Sequence, residues 1–180
     1  MSFRSLPPLS LLLVCILALA SCSHSNSEAD ANLIAANNYE AVIGWGGDTN
    51  SITREHAHSG HFAVKVDAAH EFGLGYGMKL GEATARKPHL LRISGWAYKT
   101  DDKSNARLGL QVFDMTAGKE VFGDGISYAD LKDVKKWVHI SKDIKLPETV
   151  NSTQQLRVFL WRGGATSPAY VDDLRIELVD

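Results

Sequence analysis

Residues 106–114 read ARLGLQVFD, and every second side chain from Leu108 to Val112 is aliphatic. A period of two places successive side chains on opposite faces of a β-strand. The stretch therefore predicts a strand whose Leu108, Leu110 and Val112 face a core. The opposite face is unusual for a surface in contact with water, because it mixes small, aromatic and planar polar groups. These are Arg107, Gly109, Gln111 and Phe113.

Short runs of the same kind fill the chain from Asn32 onward and are separated by Gly, Pro, Asn and Asp. No amphipathic stretch of helical period is longer than about three turns. The chain is therefore predicted to be all-β, with two antiparallel sheets packed as a sandwich. Further strands are predicted within residues 135–147 and 169–179, and a loop with one short helical turn is predicted over residues 123–136. The other side chains predicted to face the core are Phe62, Val64, Val66, Leu74, Tyr76, Met78, Leu80, Leu91, Ile93, Gly95, Ala97, Leu156, Val158 and Leu160.

Residues 1–21 are predicted to be an export signal. Arg4 precedes an apolar run that is too short to span a bilayer, and small residues precede Cys22. The sequence LASC at 19–22 resembles the signal of bacterial lipoproteins, in which the cysteine becomes an acylated N-terminus. The resemblance implies lipidation of Cys22 and a location in the bacterial cell envelope, at the outer membrane. The alternative is an ordinary secretory signal.

Residues 22–31 are polar and predict a flexible tether, which leaves residues 32–180 as a single domain. The two cysteines, Cys15 and Cys22, lie in or beside the signal, so no disulfide is expected within the domain. The formal net charge is −2. This argues against a nucleic-acid partner, which requires a concentrated basic face.

Three separated stretches resemble the carbohydrate-binding modules of families 4, 9 and 22. They are residues 32–47 (NLIAANNYEAVIGWGG), 54–66 (REHAHSGHFAVKV) and 169–178 (AYVDDLRIEL). Their order and spacing carry the resemblance, which extends over residues 32–180. The resemblance implies a galactose-binding-like jelly-roll sandwich that binds polysaccharide in a cleft across one sheet.

The same resemblance implies a structural calcium ion that joins the first strand, the Ser-Gly turn and the last strand. The matching positions are Glu40, Ser59 and Asp172. Asp172 has the parity of Leu174 and is therefore predicted on the core side, where an unpaired carboxylate is costly. A calcium ion with oxygen ligands would neutralise it. The alternative is that Asp172 accepts hydrogen bonds from backbone N–H groups or from an arginine.

In a jelly roll, consecutive strands alternate between the sheets, so the strands near residues 73–80, 106–114 and 155–164 are predicted to share one sheet. Aromatic rings on its outward surface would stack on sugars, and planar Arg and Gln groups would bind hydroxyls. Trp45 is predicted at the rim of this surface. The three cations indicate an acidic glycan, such as a uronate or sulfated polymer. The predicted surface consists of Lys79, Arg107, Gln111, Phe113, Arg157, Phe159 and Trp161.

Non-catalytic polysaccharide binding is thus the predicted function. One alternative is a small jelly-roll glycosidase or polysaccharide lyase, although the three strands carry no outward Asp or Glu for glycosidase chemistry. Another is an envelope module that binds a protein partner through the same face. In a third, the loop over residues 123–136 covers the aromatic residues, which then only extend the core.

Overall fold

Strands dominate the part of the chain that the computed structural model describes, residues 31–179. The predicted signal, Cys22 and the tether up to Asp30 lie outside the described residues. Within residues 31–179, no helix has the length and apolar character needed to cross a membrane. The strands are β1 (Leu33–Asn37), β2 (Ile52–Thr53), β3 (Ala63–Val66), β4 (Tyr76–Lys79), β5 (Leu90–Lys99), β6 (Arg107–Asp114), β7 (Lys119–Ser127), β8 (Trp137–Lys145), β9 (Gln155–Trp161) and β10 (Ala169–Leu178). The helical elements are α1 (Leu80–Ala83) and the 3₁₀ turns Thr49–Ser51 and Tyr128–Asp130.

The strands form two antiparallel sheets, as predicted, in a jelly-roll β-sandwich. One sheet has four strands in the order β4-β9-β6-β7, and the other has the order β2-β3-β10-β5-β8 with β1 also paired to β10. The predicted grouping of β4, β6 and β9 in one sheet is confirmed.

The core lies between the two sheets and contains the aliphatic side chains that the alternation selects. Leu108, Leu110, Leu156, Val158 and Leu160 are each at most 1% exposed. They pack in one cluster with the inward side chains of the larger sheet. Of the predicted core set, only Phe62 and Met78 remain partly exposed, at the margin of this cluster. The period of two therefore identified the inward faces of these strands correctly.

Strand β7 corrects the predicted loop. Residues 119–127 pair with β6 along its length, and only the short turn Tyr128–Asp130 matches the expected helical segment. Gly123, Asp124 and Gly125 are residue types typical of turns, which hid the strand. As an edge strand, β7 lies beside β6 and does not fold over its outward face.

Strand β10 corrects the predicted orientation of Asp172. Asp172 pairs with Trp96, but the register shifts before Arg175, and Asp173 adopts a positive φ of 49°. This β-bulge reverses the alternation, so Asp172 lies on the outward side of the sheet and Leu174 on the inward side. Asp172 is nevertheless fully buried.

The two ends of the sandwich differ. At one end, Asn32 accepts a hydrogen bond from the Leu178 N–H (2.8 Å) and another from Arg86 Nη2 (3.2 Å). Strand β9 begins at this end. Its first residue, Gln155, pairs with Lys79, and Lys79 leads directly into α1, shortly after which comes Arg86, the partner of Asn32. Strand β9 runs away from this end and finishes at Trp161.

Candidate functional site

The outward surface of the four-stranded sheet brings the predicted binding residues together. In β6 and β9, Arg107 is opposite Trp161, Gly109 is opposite Phe159, and Gln111 is opposite Arg157. Opposite residues in an antiparallel pair share a face. We call this surface the floor. It consists of Lys79, Arg107, Gln111, Phe113, Gln155, Arg157, Phe159 and Trp161.

The floor is open. Trp161 is 40% exposed, and the side chains of Gln111, Phe113, Arg157 and Phe159 are partly exposed. Of the segment that was expected to cover them, residues 123–127 belong to β7 at the edge of the same sheet, and Leu131 and Lys135 contact Lys99 of the other sheet. The interpretation of these aromatic residues as covered core is therefore wrong.

Three aromatic rings cluster at the end of β9. The rings of Phe72 and Trp161 are nearly parallel, with an interplanar angle of 13° and centroids 6.3 Å apart. Phe72 also makes an edge contact with Phe159 at 5.6 Å. Phe72 is 51% exposed, so the group offers apolar ring surface to a ligand. We call Phe72, Phe159 and Trp161 the aromatic end.

Sequence reasoning missed Phe72. Regular alternation back from Leu74 would turn Phe72 inward, but an isolated bridge pairs Phe72 with the outward Trp161. Between this bridge and the start of β4 at Tyr76, the backbone of Gly75 does not pair with β9. It exchanges hydrogen bonds with Gly46 instead, at 2.8 and 2.9 Å. The cluster of glycines in residues 73–77 was the available signal for this irregularity.

Glu71 fixes the Trp161 ring. Trp161 Nε1 donates to Glu71 Oε1 at 2.9 Å, and Arg162 Nε donates to Oε2 at 2.6 Å. These hydrogen bonds, first that of Arg162 and then that of Trp161, lower the pKa of the Glu71 carboxyl. The ring is thus held before any ligand arrives.

Arg157 occupies the centre of the floor. Its guanidinium lies 4.1 Å from the Phe113 ring centroid, in a cation–π contact. Nε donates to Gln155 Oε1 at 2.8 Å, Nη1 donates to Gln111 Oε1 at 3.3 Å, and Nη2 contacts Met115 Sδ at 3.1 Å. The side chain is therefore fixed in a plane.

The other two floor cations have acidic partners. Lys79 Nζ lies 3.6 Å from Glu82. Arg107 Nη2 lies 3.4 Å from Asp124, whose Oδ1 also accepts from Lys142 Nζ at 2.7 Å. Because Lys142 belongs to β8, this carboxylate also links the two sheets.

Trp45 does not join the floor. Its ring makes edge contacts with Tyr39 at 6.0 Å and with Tyr76 at 5.8 Å, and both tyrosines belong to the core. Trp45 lines a separate crevice with Asn37 and Arg175. Its predicted place at the rim of a glycan surface is therefore not what the structure shows.

The residues proposed to bind calcium are occupied by N–H donors. Asp172 Oδ2 accepts from the N–H groups of His58 (2.8 Å) and Ser59 (3.0 Å), and Oδ1 accepts from the N–H of Asp173 (2.7 Å). Glu40 Oε1 accepts from the N–H groups of residues 61 and 62. Burial raises the pKa of Asp172, and the three N–H groups oppose that rise.

This donor set does not fit a cation. Calcium requires converging oxygens, whereas the turn at residues 58–62 directs N–H groups at the carboxylates. Within residues 31–179, no group of three or more His, Cys, Asp or Glu side chains is placed to hold a metal ion. The geometry corresponds to the alternative given for Asp172, and calcium binding stays a prediction from the resemblance alone.

Solved structures of carbohydrate-binding modules share this fold. The CBM22-1 xylan-binding domain of Paenibacillus barcinonensis Xyn10C matches with a TM-score of 0.55 and 17% identity, over 83% of this chain and 96% of that one. The C-terminal family 22 module of Clostridium thermocellum Xyn10B gives 0.59 and 14%, over 82% and 94%. A family 16 carbohydrate-binding module gives 0.52 and 16%, over 81% and 99%.

At these identities the similarity establishes the jelly-roll fold. No protein-family model matches the sequence, and the comparison with curated proteins gives no match.

Proposed function

We propose that this protein binds polysaccharide, without cleaving it, along the floor of the four-stranded sheet. The observation that carries the proposal is that exposed aromatic rings and planar polar groups from β6 and β9 meet on one open face. Structures with the same fold are described as xylan-binding modules, which supports carbohydrate as the ligand class. Aromatic faces stack on the C–H surface of sugars, and fixed amide and guanidinium groups select hydroxyl positions.

The floor residues suit binding better than hydrolysis. A glycosidase needs a carboxylic acid of raised pKa facing a second carboxylate across the scissile bond. The carboxyl of Glu71, beside Trp161, has a lowered pKa because it accepts from Arg162 and Trp161. Glu120 accepts a hydrogen bond from Gln111 at 2.6 Å. The Glu71 carboxyl therefore lacks the environment of a general acid.

We further propose that the domain is tethered to a membrane through a lipid on Cys22, in the bacterial cell envelope. The LASC sequence at residues 19–22 supports this, and the polar residues 22–31 would give the domain room to reach a polymer. Metabolic labelling with a fatty acid should mark the wild-type chain but not Cys22→Ser.

Trp161→Ala tests the proposed function. Loss of one stacked ring is expected to weaken binding roughly tenfold or more, since about 1.4 kcal/mol corresponds to a factor of ten. Affinity electrophoresis in gels containing xylan or uronate-bearing polymers measures this loss. Trp137→Ala is the matched control, because Trp137 starts β8 in the opposite sheet and is partly exposed.

The thermal midpoint of each variant separates binding from folding. Since Trp161 is 40% exposed, Trp161→Ala should unfold close to the wild-type temperature. Equal retention of wild type and Trp161→Ala on every polymer that retards the wild type would remove the floor as the binding site. If the wild type binds neither xylan nor any uronate-bearing polymer, the proposed function is wrong.

A further inference from the structure

We propose that Arg157 binds the carboxylate of a uronic acid in the same glycan chain whose uncharged sugars stack on the aromatic end. This inference rests on the proposed function and names the ligand class more narrowly, as an acidic polysaccharide bound in one register. It makes Arg157 the residue that distinguishes acidic from neutral chains.

The first support is that Arg157 has no acidic partner in the part of the chain that the structure describes. Among residues 31–179, no carboxylate lies within ion-pairing distance of its guanidinium, whose polar contacts are Gln155, Gln111 and Met115. Lys79 and Arg107, the other floor cations, each have a carboxylate within 3.6 Å. The uncompensated positive charge of the floor is therefore concentrated at its centre.

The second support is the number of N–H groups that Arg157 retains. A guanidinium has five N–H donors, and three are engaged by Gln155, Gln111 and Met115. One N–H remains on each of Nη1 and Nη2. A guanidinium binds the two oxygens of a carboxylate through two of its nitrogens, and the cation–π contact with Phe113 holds this guanidinium in place.

The third support is the spacing along β9. Trp161 and Arg157 are four residues apart and share a face, so they are separated by roughly 13 Å at about 3.3 Å per residue. One monosaccharide cannot span this distance. A chain that follows β9 can place uncharged sugars on the aromatic end and a uronate at Arg157, and the asymmetry of the floor fixes its direction.

Glu120 lies where it would modulate this preference. Gln111 links the two groups, since its Oε1 accepts from Arg157 and its Nε2 donates to Glu120 Oε2 at 2.6 Å. A fixed negative charge one side chain away from Arg157 opposes an incoming carboxylate. Replacing Glu120 with Gln should therefore strengthen binding of acidic chains and leave neutral chains unaffected.

The experiment compares each uronate-bearing polymer with the same polymer after chemical reduction of its carboxylates to alcohols. The panel consists of glucuronate-substituted xylan and glucuronomannan, which combine uronates with uncharged sugars, and of dextran sulfate as the sulfated polymer. Wild type should bind the native form of its polymer at least tenfold more tightly than the reduced form. Arg157→Gln should abolish that difference, whereas Trp161→Ala should weaken binding of both forms by a similar factor and preserve the difference.

Two further variants sharpen the result. Arg157→Lys keeps the charge but not the paired donors, and should lose most of the preference. Glu120→Gln should increase the preference severalfold. The thermal midpoints of all variants establish that they are folded.

Four outcomes overturn the inference, the last of them together with the proposed function. Equal wild-type affinity for native and reduced polymer removes the acidic ligand class but leaves the proposed function intact. If Arg157→Gln lowers the affinity for the native and the reduced polymer by the same factor, Arg157 contacts the glycan but does not recognise its carboxylate. Binding of a sulfated polymer that matches or exceeds the uronate, and that also depends on Arg157, contradicts carboxylate recognition. Absence of wild-type binding to either form of every polymer overturns the proposed function as well.

Discussion

At the scale of single residues, Asp172 and Asp173 join the turn around Ser59 to the last strand. Asp172 accepts the N–H groups of His58 and Ser59, and Asp173 accepts from Ser59 Oγ at 2.6 Å and contacts His58 Nδ1 at 2.7 Å. The His58 ring also stacks on Trp96 at 3.8 Å. A hydrogen bond to a charged group contributes about 1.5–3 kcal/mol. These contacts join the turn to the last strand, where Asp172 is fully buried.

Asp172→Ala is therefore expected to lower the free energy of unfolding by about 2–4 kcal/mol, because it leaves buried N–H groups without an acceptor. Asp172→Asn should cost less, since its carbonyl oxygen still accepts. Urea unfolding measures both changes. The same experiment with a calcium chelator should leave the wild-type curve in place. A chelator effect in wild type that is absent in Asp172→Ala would instead demonstrate bound calcium.

At the scale of strands, the junction between β4 and β9 determines the shape of the aromatic end. Gly75 lies so close to β9 that an added Cβ would sit 2.8 Å from the Cβ of Phe159 and closer still to the Val158 carbonyl. Real Cβ atoms do not approach so closely, so the two segments would have to separate. Phe72, three residues earlier, would move with them.

Gly75→Ala should accordingly destabilise the protein by about 1–3 kcal/mol, in line with overpacking at other tight sites. It should also weaken polysaccharide binding, although no floor side chain is changed. The urea midpoint and affinity electrophoresis test the two effects. Gly46→Ala is the control, because its added Cβ meets no atom within 4 Å. If the two variants have the same urea midpoint and the same polysaccharide affinity, the close approach of Gly75 to β9 determines neither property.

The strands also show what the sequence could and could not predict. Side chains that alternate strictly, such as those of β6 and β9, were assigned to the correct faces because a period of two fixes the face of each residue. Phe72 and Asp172 were missed or misplaced because the register changes at Gly75 and at Asp173. Such changes depend on which backbone groups pair across strands, and the pattern of side chains does not record this.

At the scale of the whole molecule, the surroundings of the carboxyl groups make the folded state less stable at acidic pH. Eight of the described carboxyls have a lowered pKa, through hydrogen bonds to cations, backbone N–H groups or hydroxyls. They are Glu40, Glu55, Asp67, Glu71, Asp101, Asp124, Asp143 and Glu148. Burial raises the pKa of Asp67, but its bonds with His70, Lys65 and the Ala69 N–H outweigh burial and bring the pKa to about 2.

A lowered pKa in the folded state means that the unfolded chain binds more protons, so stability is present above the unfolded values and is lost as the pH falls through the folded ones. The thermal midpoint should therefore decrease steadily from pH 5 to about pH 2. Asp67→Asn should remove up to about 2 kcal/mol of this acid sensitivity. The pKa of Asp172 is raised in the folded state, so this one carboxyl favours folding as the pH falls. A midpoint that stays level or rises on acidification would contradict the expectation.

The whole-molecule level also explains the misplacement of Trp45. Its sequence neighbours allow it to lie at either end of the sandwich or against either sheet, and only the packing of Tyr39 and Tyr76 places it beside the core. Side chains in connecting segments take their positions from tertiary contacts, which a local pattern does not encode. The floor strands needed no such information, because their inward neighbours determined their orientation.

The opposite positions of Asn32 and Trp161 have a practical consequence. Asn32 is held beside Leu178 and Arg86 at one end of the sandwich, and β9 carries Trp161 to the other. A fluorescent reporter, a solid support or a partner enzyme joined ahead of Asn32 would thus be attached at the end opposite to the rings proposed to bind the polymer. An attachment at the N-terminal side therefore leaves the aromatic end accessible.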